Sequence, residues 1–381
     1  MQKKVLFTAS TYSHIVNFHI PYLEWFHSEG WIVHVGCGGT AKKILCADQV
    51  LHLPFEKKMH APSNLRAASM LRHIISEQRY DLVIAHTSLA AFFTRLALKG
   101  LKRRPRVINV AHGYLFGGGG QGGMKDKILI AAEKIVSKET DLVLTMNNWD
   151  YEAAKKYALA PEIYNIPGIG VDFEKRCAAA PATRESLRRK RSIPENAFVL
   201  FFAAEFSSRK NQAMLIRGMQ YLPDQVVLVL AGLGEQFESC KELAKSLNLE
   251  KRVIFPGYVS DVASWYAASD AAVSSSRSEG LPFNVMEAMY CGLPVVASSV
   301  KGHMDLIEDG KTGLLFAYDN ETEFASQIKK LARSEALCSE LGVNASKSVL
   351  KYDINHVRTI VVERYVLLLS TDTFSKRKMN Y

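Results

Sequence analysis

Short apolar runs alternate with longer helical stretches along almost the whole chain, and nothing else in it limits the fold as much. In the first half, Lys4–Ala9, Ile32–Gly36, Leu82–His86, Val107–Ala111 and Leu142–Met146 read as strands. Phe18–Glu29, Asn64–Glu77, Leu89–Gly100, Met124–Ser137 and Asn147–Tyr157 read as helices. In the second half, strands fit Phe198–Ala203, Val226–Ala231, Val253–Pro256, Ala271–Ser274, Pro294–Ala297 and Gly313–Phe316. A strand–helix–strand order joins strands by crossovers, which makes them parallel and covers the sheet on both faces. The chain is therefore α/β. Its 381 residues exceed one ordinary core, so two Rossmann-like parallel-sheet domains are expected, facing across a cleft. The segment Ile166–Asp172 reads as the hinge. The expected domains are 1–168 and 169–352, with 353–381 forming a C-terminal helix that packs back on the first domain, and a frayed tail. Loops that follow parallel strands would face the cleft, where open α/β sheets bind ligands.

Composition narrows the setting. The chain is 48% hydrophobic and 23% charged, as in soluble globular proteins. No apolar run is long enough to span a bilayer. The apolar part of Met1–Ser10 is too short for a signal peptide and reads as a first strand. Six scattered cysteines without a CxxC fit reduced thiols, so a cytoplasmic location is expected. Most of the net charge of +10 falls before residue 174. A basic first half suits solubility, a phosphorylated acceptor or the anionic inner leaflet of a membrane. Nucleic acid is not expected: Lys102–Arg106 and Arg188–Arg191 lack interleaved aromatics and match no nucleic-acid module.

The chemistry-bearing motifs sit mostly in loops after strands. In Arg277–Met289, Gly280 and Pro282 break the chain, and Val285–Tyr290 then reads as one or two helical turns ended by Gly292 and Pro294. Glu279 is thus in the loop and Glu287 on the helix. The loop residues Gly280 and Leu281 lead to helix-start amides, which form an anion site. Pro282 has no N–H, so the donors are Phe283 and Asn284. Carboxylates suit sugar or ribose hydroxyls and amides suit a phosphate, a combination that fits a nucleotide-sugar. Arg209 and Lys210 follow a strand and precede a helix, where two cations would neutralise a diphosphate. Gly232 and Gly234 follow the strand Val226–Ala231 and would let a ligand approach the backbone. His112 follows Val107–Ala111 and could donate to a sugar hydroxyl. Gly117–Gly123 is glycine-rich and reads as a flexible loop over a ligand. There is no Asp-x-Asp and no cluster of histidine, cysteine and carboxylate at metal-ligand spacing along the chain, so neither a metal nor another cofactor is expected.

Glu279 and Glu287, with seven residues between them, resemble the signature of the retaining glycosyltransferases of family 4. That resemblance covers nearly the whole chain and implies the GT-B fold. It implies that Glu287 binds the ribose hydroxyls and that Glu279 contacts the donor sugar near the reacting carbon. It implies that Lys210 binds the diphosphate, that His112 contacts the donor sugar, and that the Phe255–Val259 segment meets the base, with Tyr258 the candidate residue. Many family members carry an arginine where this chain has Glu205, so Arg209 is the candidate for the second charge. Related capsule and exopolysaccharide enzymes often have a polar, histidine-containing loop after the first strand, which makes His14 an acceptor-side candidate. The implied activity is transfer, with retention, of a hexosyl or N-acetylhexosaminyl group from a UDP-sugar to a lipid-linked glycan. The implied location is cytoplasmic, peripheral on the inner membrane face. The alternatives are a GT-B enzyme such as a UDP-sugar 2-epimerase, or a non-catalytic nucleotide-sugar-binding regulator. A dinucleotide oxidoreductase is more distant, because nothing near the first strand supports it.

Overall fold

The computed structural model describes residues 2–40, 42–56, 58–116, 123–178 and 183–370. The chain divides into two compact units, with the boundary between Gly170 and Val171. The second unit runs from Val171 to Ile354, and the described residues from Asn355 onward belong to the first.

The first unit contains a seven-stranded sheet of β1 (Lys4–Ala9), β2 (Ile32–Cys37), β3 (Gln49–His52), β4 (Leu82–His86), β5 (Arg106–Ala111), β6 (Leu142–Thr145) and β7 (Glu162–Asn165). All pairings are parallel, in the order β3-β2-β1-β4-β5-β6-β7. The central strands are apolar on both faces, as helices on both sides demand. The order reverses between β1 and β4, which places a topological switch point at the carboxyl edge, where open α/β sheets bind ligands. Two strands went unread in the sequence, and both are edges. Gln-Val-Leu-His and Glu-Ile-Tyr-Asn are short and half exposed, so they lack the continuous apolar run of a buried strand. The first helix also departs from expectation. Tyr12–Phe18 forms one helix, capped by the Thr11 side chain, and Ile20–Ser28 forms the next, with Pro21 in its first turn. His19 lies between them.

Helix Ile354–Ser370 completes this unit. It buries Val357, Val361, Tyr365 and Leu368, and the Tyr365 ring meets Tyr22, Trp25 and Phe26. Burying an aromatic of this size stabilises by about 1.5–3 kcal/mol. Among the described residues, no helix is long and apolar enough to cross a membrane.

The second unit contains a six-stranded parallel sheet of β8 (Phe198–Ala203), β9 (Val226–Ala231), β10 (Val253–Gly257), β11 (Ala271–Ser274), β12 (Val295–Ser298) and β13 (Leu314–Phe316). Its order is β10-β9-β8-β11-β12-β13, so the reversal falls between the paired strands β8 and β11. Apolar clusters cover both faces, one with Phe202, Met214 and Phe324, the other with Phe201, Trp265 and Met286.

Candidate functional site

The reversal at β8 and β11 determines what meets in the second unit. Their trailing loops are neighbours, so residues 204–211 and 275–282 pack together. Arg277 N–H donates to Arg209 O at 2.8 Å, and the Ser275 hydroxyl donates to Lys210 O at 2.9 Å. This packing brings Lys210 Nζ to 2.6 Å from Glu279 Oε1 and Arg209 Nη1 to 2.9 Å from Glu279 Oε2. Lys210 and Glu279 are both buried, whereas the Arg209 side chain is 50% exposed. Burial alone would raise the Glu279 carboxyl. The Lys210 ammonium, the Arg209 guanidinium and the nearby His303 outweigh it and hold the group down at about 2. Glu279 is therefore a fixed negative charge at neutral pH.

Glu287 sits within helix Phe283–Tyr290, for which Pro282 is the N-cap. The helix starts two residues earlier than the apolar pattern indicates, because the fixed φ of Pro282 (−77°) already suits a helix entry. Its first turn carries the Phe283 and Asn284 amides, at the positive end of the helix. The Asn284 side chain is engaged: Nδ2 donates to Ala203 O at 3.2 Å and ties the helix start to the end of β8. Glu287 is buried beside Arg176 Nη1 at 3.1 Å, and the Tyr266 hydroxyl donates to it at 3.2 Å. Burial raises its carboxyl, and Arg176 and Tyr266 offset only part of that rise. The two glutamates are thus pushed in opposite directions, Glu279 down by two cations and Glu287 up by burial.

Three residues of this region carry no signal in the sequence. Arg176 lies on the short helix Phe173–Cys177, 111 positions from its partner Glu287. Tyr266 reads as one more apolar residue of Val262–Ala268. His303 is buried behind Glu279, with Nε2 3.0 Å from Ser274 Oγ, and burial lowers it to about 4.

Gly232 and Gly234 have a structural reason of their own. Their φ values are 135° and 157°, and a Cβ would lie 1.9 Å from Ala204 O or 2.2 Å from Phe206 O. The close approach that needs a glycine here is made by the chain's own backbone. Phe206 N–H in turn donates to Leu233 O at 3.0 Å. These glycines therefore seat the 204–211 loop that carries Arg209 and Lys210. Gly280 and Leu281 are part-buried in the loop before Pro282, and Gly280 O lies 2.6 Å from where a Cβ on Gly302 would be. Tyr258 follows β10 and is 76% exposed. Glu205, where a cation was expected, is exposed, and its carbonyl accepts from Gln212 Nε2 at 2.9 Å. Arg209 is the second cation that reaches Glu279.

In the first unit the same topology gathers histidines. His14 follows β1, His86 ends β4 and His112 follows β5, and these three strands are adjacent. His14 Nε2 is 3.4 Å from His112 Nε2, and His86 Nδ1 is 3.2 Å from that same nitrogen. The His19 and His86 rings are 3.7 Å apart. Burial lowers all four, His14 to about 4. Spacing along the chain shows no metal-ligand set, but the fold brings three histidines together. His14, His19 and His112 each place one ring nitrogen within 4.8 Å of the others. Spacing along the chain misses the cluster because a parallel sheet edge collects residues nearly a hundred positions apart. The glycine-rich residues 117–122 lie outside the described residues.

Two family profiles match this chain. The one described as Glycosyltransferase Family 4 covers residues 22–175, and Glycosyl transferases group 1 covers 183–348. A Bacillus subtilis protein named "Putative glycosyltransferase EpsD" is 33% identical over 99% of this chain and 100% of its own length. The Escherichia coli UDP-Gal:alpha-D-GlcNAc-diphosphoundecaprenol alpha-1,3-galactosyltransferase is 26% identical over 72% of each. The crystal structure of Anabaena HepE with UDP and glucose superposes with a TM-score of 0.77 at 21% identity, covering 96% of this chain and all of that one. The two Rossmann-like units are those of the GT-B fold.

Proposed function

The chain belongs to glycosyltransferase family 4 and is a glycosyltransferase, a premise from which we propose that it moves a sugar, with retention, from a UDP-sugar to a lipid-linked glycan in exopolysaccharide or capsule assembly. The observation that carries the donor half is the pair of buried carboxylates in opposite electrostatic settings, flanking a helix N-terminus. Glu287 accepts the two ribose hydroxyls, with Arg176 and Tyr266 fixing its orientation. The Phe283 and Asn284 amides, Lys210 and Arg209 receive the diphosphate. Lys210 and Arg209 neutralise Glu279, so an arriving diphosphate shares cations that are already in position, and no metal is needed at that step. Tyr258 offers its exposed ring to the base. Glu279, ionised at neutral pH, cannot give a proton. It positions the sugar and stabilises positive charge at the reacting carbon. The bond from that carbon to the phosphate oxygen breaks, and the bond to the acceptor oxygen forms on the same face. The departing phosphate takes the acceptor's proton, so no protein nucleophile is needed.

The UDP preference is supported by the UDP in the HepE crystals and in the name of the galactosyltransferase. The lipid-linked acceptor is supported by the diphosphoundecaprenol in that name, and the EpsD relative supports the exopolysaccharide setting. The basic first half motivates binding to anionic inner-leaflet membrane. It predicts retention on anionic vesicles at low salt that is lost as salt rises. A thermal-shift screen of nucleotide-sugars tests the core of the proposal, because a ligand that binds only the folded state raises the midpoint. UDP-sugars should shift it and retain their configuration in transfer products. Absence of any shift with UDP-, GDP- and ADP-sugars overturns the reading. Formation of a new UDP-sugar isomer without an acceptor would replace transfer with epimerisation.

A further inference from the structure

The histidine cluster of the first unit has chemistry that a set of hydrogen-bonded imidazoles leaves unexplained. His19 is fully buried, and neither of its ring nitrogens has a hydrogen-bond partner. His86, 1% exposed, has an unpartnered Nε2. Buried polar atoms in folded proteins are satisfied with few exceptions, and each exception calls for a partner. Beside these nitrogens, His112 Nε2 faces both His14 Nε2 and His86 Nδ1. One ring nitrogen cannot serve two such neighbours well with a single proton or lone pair. The backbone is strained at the same place. Thr87, directly after His86, holds φ of 61°, a value that a β-branched residue rarely adopts.

We propose that His14, His19 and His112 form a binding site for one divalent transition-metal ion of the zinc class. The geometry of the cluster fits that ion. Zinc–imidazole bonds of 2.0–2.1 Å place neighbouring nitrogens of a tetrahedral site about 3.3 Å apart. The His14–His112 pair, at 3.4 Å, already has that spacing. Bringing in the nitrogen of His19 takes at most about 1.5 Å of closure from the 4.8 Å limit of the group. The donor set contains imidazole only, which selects zinc, cobalt, nickel or copper over magnesium and calcium. Three protein nitrogens leave a fourth position for water or a ligand oxygen. His86 supports the site from the end of β4 by packing against His19 and His112.

This site does not depend on the transferase reading, and metal binding measures it without any turnover. The full chain is stripped with a chelator, dialysed and titrated with cobalt(II), while zinc content is read by elemental analysis after reloading. The proposal expects one equivalent of zinc and the intense visible absorption of tetrahedral cobalt. It expects that absorption to disappear in His14→Ala, a part-buried residue whose loss the fold should tolerate. His112→Gln should weaken binding at least about tenfold. Exposed His27→Ala should bind as the parent does. Circular dichroism on each variant confirms that it is folded. Sub-stoichiometric zinc in the parent, or equal cobalt binding by the parent and by folded His14→Ala and His112→Gln, overturns the site.

Discussion

Replacing Lys210 with methionine removes the ammonium 2.6 Å from Glu279 while keeping the apolar stem. In the folded chain the Glu279 carboxyl sits at about 2, against an ordinary 4.5. At about 1.4 kcal/mol for each pKa unit, its surroundings favour the ionised form by about 3 kcal/mol relative to the unfolded chain. The folded value lies below the unfolded one, so this stabilisation is complete above pH 4.5 and is lost as pH falls towards 2. Proton linkage leaves about 3 kcal/mol at pH 7 and about 1.5 kcal/mol at pH 3. Lys210→Met leaves Glu279 with Arg209 alone, which is half exposed and screened by solvent. Burial then dominates the carboxyl. The variant should lose about 2–3 kcal/mol at pH 7 and roughly half of that at pH 3. Hydrogen-exchange mass spectrometry across a urea series reads the second unit peptide by peptide and separates its opening from that of the first. A deficit below about 1 kcal/mol at pH 7, or one equal at both pH values, would refute the assignment of Lys210 as the main counter-charge.

Glu287→Gln should act in the opposite way on stability. Burial raises the folded value of this carboxyl, so its stabilisation is present below the unfolded value and lost as pH rises through the folded one. Glutamine removes a costly buried charge, so urea midpoints at pH 7 should hold or rise while UDP affinity by calorimetry falls about tenfold; a loss of more than about 1 kcal/mol in stability would contradict this. Gly232→Ala puts a Cβ against Ala204 O and should cost about 2–4 kcal/mol, with a thermal midpoint near that of the parent as the refuting result. Tyr258→Ala removes an exposed ring, so stability should stay within about 0.5 kcal/mol while UDP affinity drops several-fold. Unchanged UDP affinity would remove the base contact from the proposal.

The parts of the fold that could be read in the sequence were those with a one-dimensional signature. Lys4–Ala9 and Val226–Ala231 are uninterrupted apolar runs because helices cover both their faces. The edge strands Gln49–His52 and Glu162–Asn165 are half solvated and lack that run. At the site, Glu279 and Glu287 were legible because Gly280, Pro282 and Gly292 punctuate a single short segment. Arg176, Tyr266 and His303 were not, since each gains its meaning from a partner on another element. The glycines of Ala231–Glu235 were legible as a backbone requirement, but the approach of Ala204 and Phe206 was not, because these residues lie on another loop. The orphaned nitrogens of His19 and His86 carry no signal in the sequence, because they exist only once β1, β4 and β5 lie side by side.

The first unit is discontinuous in the chain, and this has a consequence for its synthesis. Translation delivers β1 to β7 first, yet Tyr22, Trp25 and Phe26 keep an uncovered apolar face until Tyr365 and the rest of Ile354–Ser370 emerge. The Val171–Ile354 unit is contiguous and can close its own core before that helix exists. The half of the protein made first is therefore finished last, and it holds a partly open hydrophobic surface throughout the synthesis of the other half. Premature termination between Ile354 and Tyr365 would leave a folded Val171–Ile354 body joined to an incomplete partner that chaperones must shield.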